Sequence, residues 1–450
     1  MAEDVKVPEG WRRVRLGEIS EIVKGITYKS SDYCESEEGA TFINLKCILK
    51  KGGFNKDGLK YFKGLIRESQ ILRKGDIIIA IVDLTRDGDI IGYPLRVPDF
   101  GSNKVVTMSM DVVKIEPDAQ IDKAFLYYRL CLNDIHSYIL SISAGSTVLH
   151  LDLNWLPQLE FSVPLSLPEQ HKIAEILETV DNAIEKTDRI IEKYKRIKQG
   201  LMQDLLTRGI AESNELGVMS YELRDEKKHR FWDSPLGRIP EEWEVVELGD
   251  VANVKRGASP RPIDNPVYFS EGGRGWVRIL DVTSSNKYLK RTTQYLSPIG
   301  EQKSVKVEPN ELIMSICATI GKPTIVKIPA CIHDGFVVFK NLSSQVGVEY
   351  LFYYLTFKEK DFQEKGQIGT QGNLNSSLVS SFKLLKPPLP EQHRIASILS
   401  QIDEVIEKEQ KNKEKLERIK KGLMEDLLMG KVRVNHLIEE NKSLEGVENV

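Results

Sequence analysis

One forty-residue phrase occurs twice in this chain, and nothing else limits its possible folds as strongly. Residues 167–206 read LPEQHKIAEILETVDNAIEKTDRIIEKYKRIKQGLMQDLL, and residues 389–428 read LPEQHRIASILSQIDEVIEKEQKNKEKLERIKKGLMEDLL. The offset is 222 residues throughout, without a gap, and 24 of the 40 positions are identical. A helical duplication this long implies two equivalent halves with pseudo-two-fold symmetry, which a two-fold partner or ligand would match. The duplication reaches further. PEGWRRVRLGEISEIVKG (8–25) aligns with PEEWEVVELGDVANVKRG (240–257) at an offset of 232, and FLYYRL (125–130) is weakly echoed by YLFYYL (350–355). The order is variable segment, repeat, variable segment, repeat. Common frames with divergent contents suggest one task performed on two different targets.

The repeats are helical by pattern. Ile173, Leu177, Val180, Ile184, Thr187, Ile191 and Tyr194 follow the alternating 4–3 spacing of a coiled-coil seam. Ile395, Leu399, Ile402, Ile406 and Leu416 continue it in the second copy, with Glu409 and Lys413 between them. That polar stretch either fixes register between the helices through a charged pair or faces water. Ser166 with Glu169 forms a capping-box pattern, Pro168 suits a first turn, and Gly209 supplies a stop. Gly200 and Gly422 recur inside both helices, which suggests close backbone approach or a bend.

The variable segments carry short β-type runs at 76–82, 105–115 and 311–316 between turn residues. Amphipathic helices follow near 121–141 and 346–364, giving an α+β class. Hydrophobic content of 41% and charged content of 29% fit a globular protein. No apolar run approaches the ~20 residues of a membrane span. The beginning MAEDVKVPEGW has no basic n-region or apolar h-region, so the expected compartment is the cytoplasm. Cys34, Cys47, Cys131, Cys317 and Cys331 are widely spaced with no CxxC, which argues against disulfides and a cysteine zinc site. The net charge of −3 conceals two basic stretches. Nine Lys/Arg against two acids lie in 41–75, and ten against four in 255–306. Each could give a domain a basic face, or could be ordinary solvated lysines.

Catalytic patterns are missing. Gly321-Lys322 lacks the rest of a phosphate loop, and there is no HExxH. Glu169 and Glu391, in the two EQH triplets, are read as helix-dipole residues. Asn265-Pro-Val-Tyr268 lacks the second proline of an NPPY methyltransferase loop. Trp11 and Trp243 are expected to be core anchors rather than base-stacking platforms. The pattern favours a binding protein with no metal or cofactor of its own. A divergent DNA methyltransferase or nuclease acting alone is the alternative, and a coiled-coil scaffold a third possibility.

The doubled LPEQ(H)-(K/R)-I-A opening, the G-L-M-x-D-L-L closing and the GRIPEEWEVVELGD lead into the second half together resemble the specificity subunit of type I restriction–modification systems. The resemblance covers nearly the whole chain. It implies two target recognition domains (1–165 and 240–388), each reading one half of a split double-stranded DNA target. It also implies two antiparallel spacer helices (166–210 and 389–435), a connector (211–239) and a tail (436–450). Two adenine methyltransferase subunits would dock on the frame and ATP-dependent restriction subunits would join them. S-adenosylmethionine, ATP and magnesium would belong to those partners. The polar Glu409, Asn412 and Lys413 put a fully symmetric spacer in question. At 1.5 Å per residue the helices are roughly 60 Å long, which bounds the half-site separation near ~17 base pairs.

Within that reading the favoured DNA contacts in the first domain are Lys46, Lys50, Lys51, Lys60 and Arg86, with Ser146 and Thr147 in a small polar loop. In the second they are Arg256, Arg261, Arg278, Lys290, Arg291 and Lys322, with Thr370, Gln371 and Asn373. Lysines suit phosphates, arginines suit guanine, and Gln or Asn can pair bidentately with adenine. Each of these side chains could equally be a solvated surface or turn residue.

Overall fold

A computed structural model describes residues 7–35, 38–50, 52–85, 87–215, 218–367 and 374–438. The chain divides into two compact units, Met1–Asp188 with Lys411–Val450, and Arg189–Gln410. The two divisions fall at equivalent positions of the duplication. Each unit therefore holds one variable domain, the first part of its own repeat helix and the last part of the other.

In the first unit, a four-stranded antiparallel sheet runs Ser20–Lys24, Val112–Pro117, Ile77–Ala80, Pro94–Arg96. Strand Ile77–Ala80 is buried at every position, as its continuous apolar run predicts. Alternate residues serve opposite layers. Ile77, Ile79, Val113 and Ile115 pack towards Phe125, Leu126 and Ile139 of the helices Lys123–Leu130 and Asn133–Ser141. Ile78, Ala80 and Val112 pack towards Ile43 and Met108 of a second sheet. That sheet runs Tyr33–Cys34, Lys60–Phe62, Ala40–Ile43, Val106–Met108, with its last pair parallel. The apolar run at 105–115 is thus two strands, split by a turn at Ser109–Asp111.

The second unit repeats this plan. Asn253–Arg256, Phe336–Lys340, Leu312–Ser315 and Pro323–Val326 form the first sheet, with Tyr288–Leu289 added in parallel at its edge. Leu312, Met314, Val337 and Phe339 face helix Val348–Phe357, while Ile313, Phe336 and Val338 face the second sheet. The expected α+β class is the observed one. The connector region forms two hairpins, Ile210–Glu215 with Val218–Leu223 and Phe231–Ser234 with Gly237–Pro240.

The repeat helices run Leu167–Leu205 and Leu389–Leu427. Their beginnings are deeply buried: Ile173 and Leu177 in one unit, Ile395 and Leu399 in the other. Val180, Ile184, Tyr194, Ile402, Ile406 and Leu416 are half-buried, and Ile191 is buried. In the first unit Asp181 pairs with Lys420 at 2.6 Å and Asp188 with Lys413 at 2.7 Å. Seven residues forward on one helix match seven residues back on the other, which makes the pair antiparallel. Lys413 therefore takes the charged-pair option in the seam rather than facing water unpaired. In the second unit Lys198 pairs with Asp403 at 2.6 Å. Gly200 and Gly422 are exposed, and a Cβ added to either would meet nothing within 4 Å. Among the described residues they mark no close approach.

The LPEQ phrase has a structural task. The Gln170 side chain donates to Pro164 O and Gln120 O and accepts from Asp122 N; Gln392 does the same with Pro387 O, Gln345 O and Gly347 N. Each glutamine ties the strand before the helix to the domain beside it. Glu169 binds Arg433 at 2.6 and 2.9 Å, and Glu391 binds Arg224 through both carboxylate oxygens. Arg433 and Arg224 each follow the end of the opposite helix, beyond a glycine of positive φ, Gly430 or Gly209. Both glutamates lie in the first turn of their helices, where the dipole favours them, but the Glu169 carboxylate goes to Arg433 and not into a capping box with Ser166. A buried carboxylate is better stabilised by a guanidinium fork than by a helix end. Trp11 and Trp243 are core anchors as expected, and Trp243 Nε1 donates to Glu391 at 3.0 Å.

Candidate nucleic-acid interface

The site is built where strands of the first sheet cross into the second. In the second unit the crossing is Gly257, whose amide donates to Phe336 O at 2.9 Å, while Ala258 N donates to Ile332 O at 3.1 Å. A Cβ on Gly257 would lie 2.1 Å from His333 O. Gly25 makes the same crossing in the first unit, with Ser109 O at 2.0 Å from its notional Cβ. This contact explains why the final glycine recurs in both aligned segments.

The 333–335 turn that presses on Gly257 gathers the arginines. Asp334 accepts from Arg261 at 3.0 Å and from Ser259 Oγ at 2.6 Å, and its carbonyl accepts from Arg256 Nε at 2.8 Å. The Ser259 hydroxyl holds the Asp334 carboxyl below its usual range, with Arg261 adding to it against burial. Arg278 caps the short helix Ile279–Thr283 and donates to Gln294 at 3.4 Å. Burial lowers the His333 pKa and the positive field of Arg278 deepens the shift, opposed by Asp334. Arg256, Arg261 and Arg278 thus gather around one turn that carries a single carboxylate, Asp334. Lys290 and Arg291 are exposed on the segment after Tyr288–Leu289. Lys322 is half-buried and donates to Thr283 O at 3.2 Å, so it braces a loop. That loop, 316–322, is arched over Ser315, which bonds the Thr319 carbonyl and the Lys322 amide. Thr370, Gln371 and Asn373 lie outside the described residues.

In the first unit the described residues of the corresponding arch, 84–85 and 87–91, are held by Asp83, which is fully buried. One Asp83 oxygen accepts from Thr85 N and Oγ1, both at 2.7 Å; the other accepts from Ile90 N at 2.7 Å and Ile91 N at 3.0 Å. Lys50 pairs with Asp89 of this arch at 2.5 Å. Strand Val82–Asp83 pairs with Leu149–Leu151, so the exposed loop carrying Ser146 and Thr147 hangs beside the arch. The structure brings Lys50, Ser146 and Thr147 to this one edge. Lys46 and Lys60 are exposed on the second sheet and its adjoining turn. Lys51 and Arg86 lie outside the described residues. Asp83 and Asp334 are acids, so a search of the sequence for DNA-binding cations passes over them. The Asp-x-Thr spacing of 83–85, which permits a local side-chain-to-backbone turn, was the available signal.

Burial alone would raise the Asp83 pKa, but its hydrogen bonds from Thr85, Ile91 and Ile90 leave it lowered. A lowered folded-state pKa stabilises above the unfolded value, about 3.9, and the contribution is lost as pH falls through the folded one. The arch should therefore loosen only in acid. Asp83→Asn should loosen it at neutral pH, with roughly 100-fold less hydrogen-exchange protection at Ile90 and Ile91. Unchanged protection in the variant would show that the carboxylate does not hold the arch.

Among the described residues no helix is long and apolar enough to cross a membrane. The family model described as "Type I restriction modification DNA specificity domain" matches residues 8–195 and again 240–418. The MjaVIII type I restriction enzyme specificity subunit of Methanocaldococcus jannaschii is 27% identical over 449 residues, covering 96% of this chain and 95% of that protein. The type I restriction–modification S subunit of M. genitalium, in its crystal structure, superposes with a TM-score of 0.60 at 16% identity, covering 95% of this chain and 97% of that one. A chain from a structure of a type I restriction–modification system gives a TM-score of 0.53 at 20% identity, covering 95% of this chain and all of that one.

Proposed function

The chain belongs to the type I restriction–modification DNA specificity family, and from that premise we propose that each unit reads one half of a bipartite, asymmetric double-stranded DNA target. The observation that carries this is the pair of units with one strand plan and different edges. Asp83 holds the arch of one and Ser315 that of the other, and the turn at 333–335 is bonded by Arg256 and Arg261, whereas at the 109–111 turn Asp111 accepts from Ser109. Equivalent frames with unlike reading edges suit two unlike half-sites. Phosphate contacts by the exposed lysines would position the DNA, and the arginines of the second unit would read guanine.

The spacer helices set the separation of the half-sites and carry the docking surface for two adenine methyltransferase subunits, with ATP-dependent restriction subunits joining that core. S-adenosylmethionine, ATP and magnesium act in those partners. This chain contributes recognition and no bond-breaking step, in cytoplasmic complexes on DNA. Exchanging residues 26–145 for the matching segment of a relative tests the reading. Methylome sequencing of a host carrying the cognate methyltransferase should show one half-site changed and the other kept. An unchanged pattern would mean that the domain does not specify sequence. Methylation or cleavage by the purified chain alone would mean that it is itself an enzyme.

A further inference from the structure

The same three-residue contact occurs in both units. Tyr128, on the first unit's helix Lys123–Leu130, donates from its hydroxyl to Asp181 Oδ2 at 2.7 Å, and Asp181 Oδ1 accepts from Lys420 at 2.6 Å. In the second unit Tyr353 donates to Asp403 Oδ2 at 2.7 Å, and Asp403 Oδ1 accepts from Lys198 at 2.6 Å. The lysine ammonium also lies over the same tyrosine ring, at 5.7 and 5.5 Å from its centre. Asp181 and Asp403 are equivalent positions of the duplication, and so are Lys198 and Lys420. One carboxylate thus joins a recognition domain, its own spacer helix and the opposite spacer helix, with one oxygen given to each foreign element. Burial and the adjacent carboxylate keep both phenols protonated, and therefore donating.

A second attachment lies three residues earlier on each helix. Arg96, at the end of edge strand Pro94–Arg96, pairs with Glu178 at 2.7 Å. At the matching position Ser400 accepts from Lys287 at 2.8 Å, and Lys287 also pairs with Glu349 at 3.1 Å. Lys287 immediately precedes edge strand Tyr288–Leu289. Each recognition domain is therefore held at its helix and at its sheet edge. Two points of attachment fix a rotation as well as a distance.

We propose that the Tyr128–Asp181–Lys420 and Tyr353–Asp403–Lys198 triads are positioning devices that set how many base pairs must separate the half-sites. The inference rests on the two-half-site reading above. Adding one base pair moves a half-site about 3.4 Å along the DNA and about 35° around it. The glutamine ties and the buried helix starts hold the base of each domain, and the triad and the sheet-edge pair brace it further along the helix. Removing the triad takes away one of those braces and lets the domain give more readily to both displacements. The triads touch no base, so their loss should alter spacing and leave the recognised bases unchanged.

The test uses the complex with its cognate methyltransferase on three substrates: half-sites at the natural separation, one base pair closer and one base pair farther. Wild type should methylate the natural spacing with strong preference. Tyr128→Phe/Tyr353→Phe keeps both rings and should shift that preference roughly tenfold towards the altered spacings, the scale of one hydrogen bond to a charged group. Asp181→Asn/Asp403→Asn, which weakens the lysine contacts as well, should shift it in the same direction. A thermal melt confirms folding, and single variants are read if a double variant melts early. An unchanged preference, or a loss equal at all three spacings, overturns the proposal. Failure of wild type to methylate any split substrate would instead count against the two-half-site reading.

Discussion

Glu391→Ala should destabilise the second unit by about 3–5 kcal/mol, the usual cost of stripping one partner from a buried ion pair. The Glu391 carboxylate takes hydrogen bonds from both Arg224 terminal nitrogens, from Trp243 Nε1 and from the Ile210 amide. Both charged side chains are only 8% exposed. Without the glutamate, the ion pair left to Arg224 among the described residues is with Glu242 at 3.4 Å, a residue largely in solvent. The indole and the amide also lose their acceptor. Glu169→Ala is the internal comparison. Its partner Arg433 is 31% exposed and can rehydrate, so a smaller loss, about 1–2 kcal/mol, is expected. Denaturant unfolding followed by tryptophan fluorescence measures both. Equal effects in the two variants would show that burial of the arginine is not what sets the cost.

Gly257→Ala should abolish recognition of one half-site while sparing the other. The added methyl would sit 2.1 Å from His333 O and 2.7 Å from Ile332 O, and both obstacles are backbone, which no rotamer change relieves. Strand or turn must move, at a cost of about 3 kcal/mol or more. The turn that moves is the one gathering Arg256 and Arg261. Gly25→Ala should do the same to the first unit through Ser109 O. Gly422→Ala is a control with the opposite sign, because open space surrounds that position and an exposed helical alanine gains up to ~1 kcal/mol over glycine. Methylome sequencing reads the half-site loss. Retention of both half-sites in Gly257→Ala would mean that the crossing tolerates displacement.

Much of this architecture could be read from the chain because it follows from periodicity. The 4–3 spacing of Ile173, Leu177 and Val180 and the apolar run at 77–80 each specify an element through the faces they must bury. Trp11 and Trp243 were legible as anchors because a large ring gains most from burial and dominates the energetics of a core. What could not be read was partner choice. Glu169 satisfies the rule for a capping box, yet its carboxylate goes to an arginine 264 residues away. Local rules describe what a side chain can reach along its own helix and are silent on what folding brings to it. The DNA-facing cations show the same limit. Lys322 and Arg261 looked alike in sequence, but one braces a loop and the other joins the 333–335 turn.

The cross-helix pairs have a consequence for chains half this length. Asp181 and Lys198 lie on one repeat, and Lys420 and Asp403 on the other. Every repeat therefore carries both the acid and the base that its partner requires. A polypeptide with one recognition domain and one repeat would be self-complementary, and two copies could associate about a true dyad through two identical Asp–Lys contacts. Under the half-site reading proposed for the two units, such a homodimer would present two copies of one reading edge, and its target would be a palindrome.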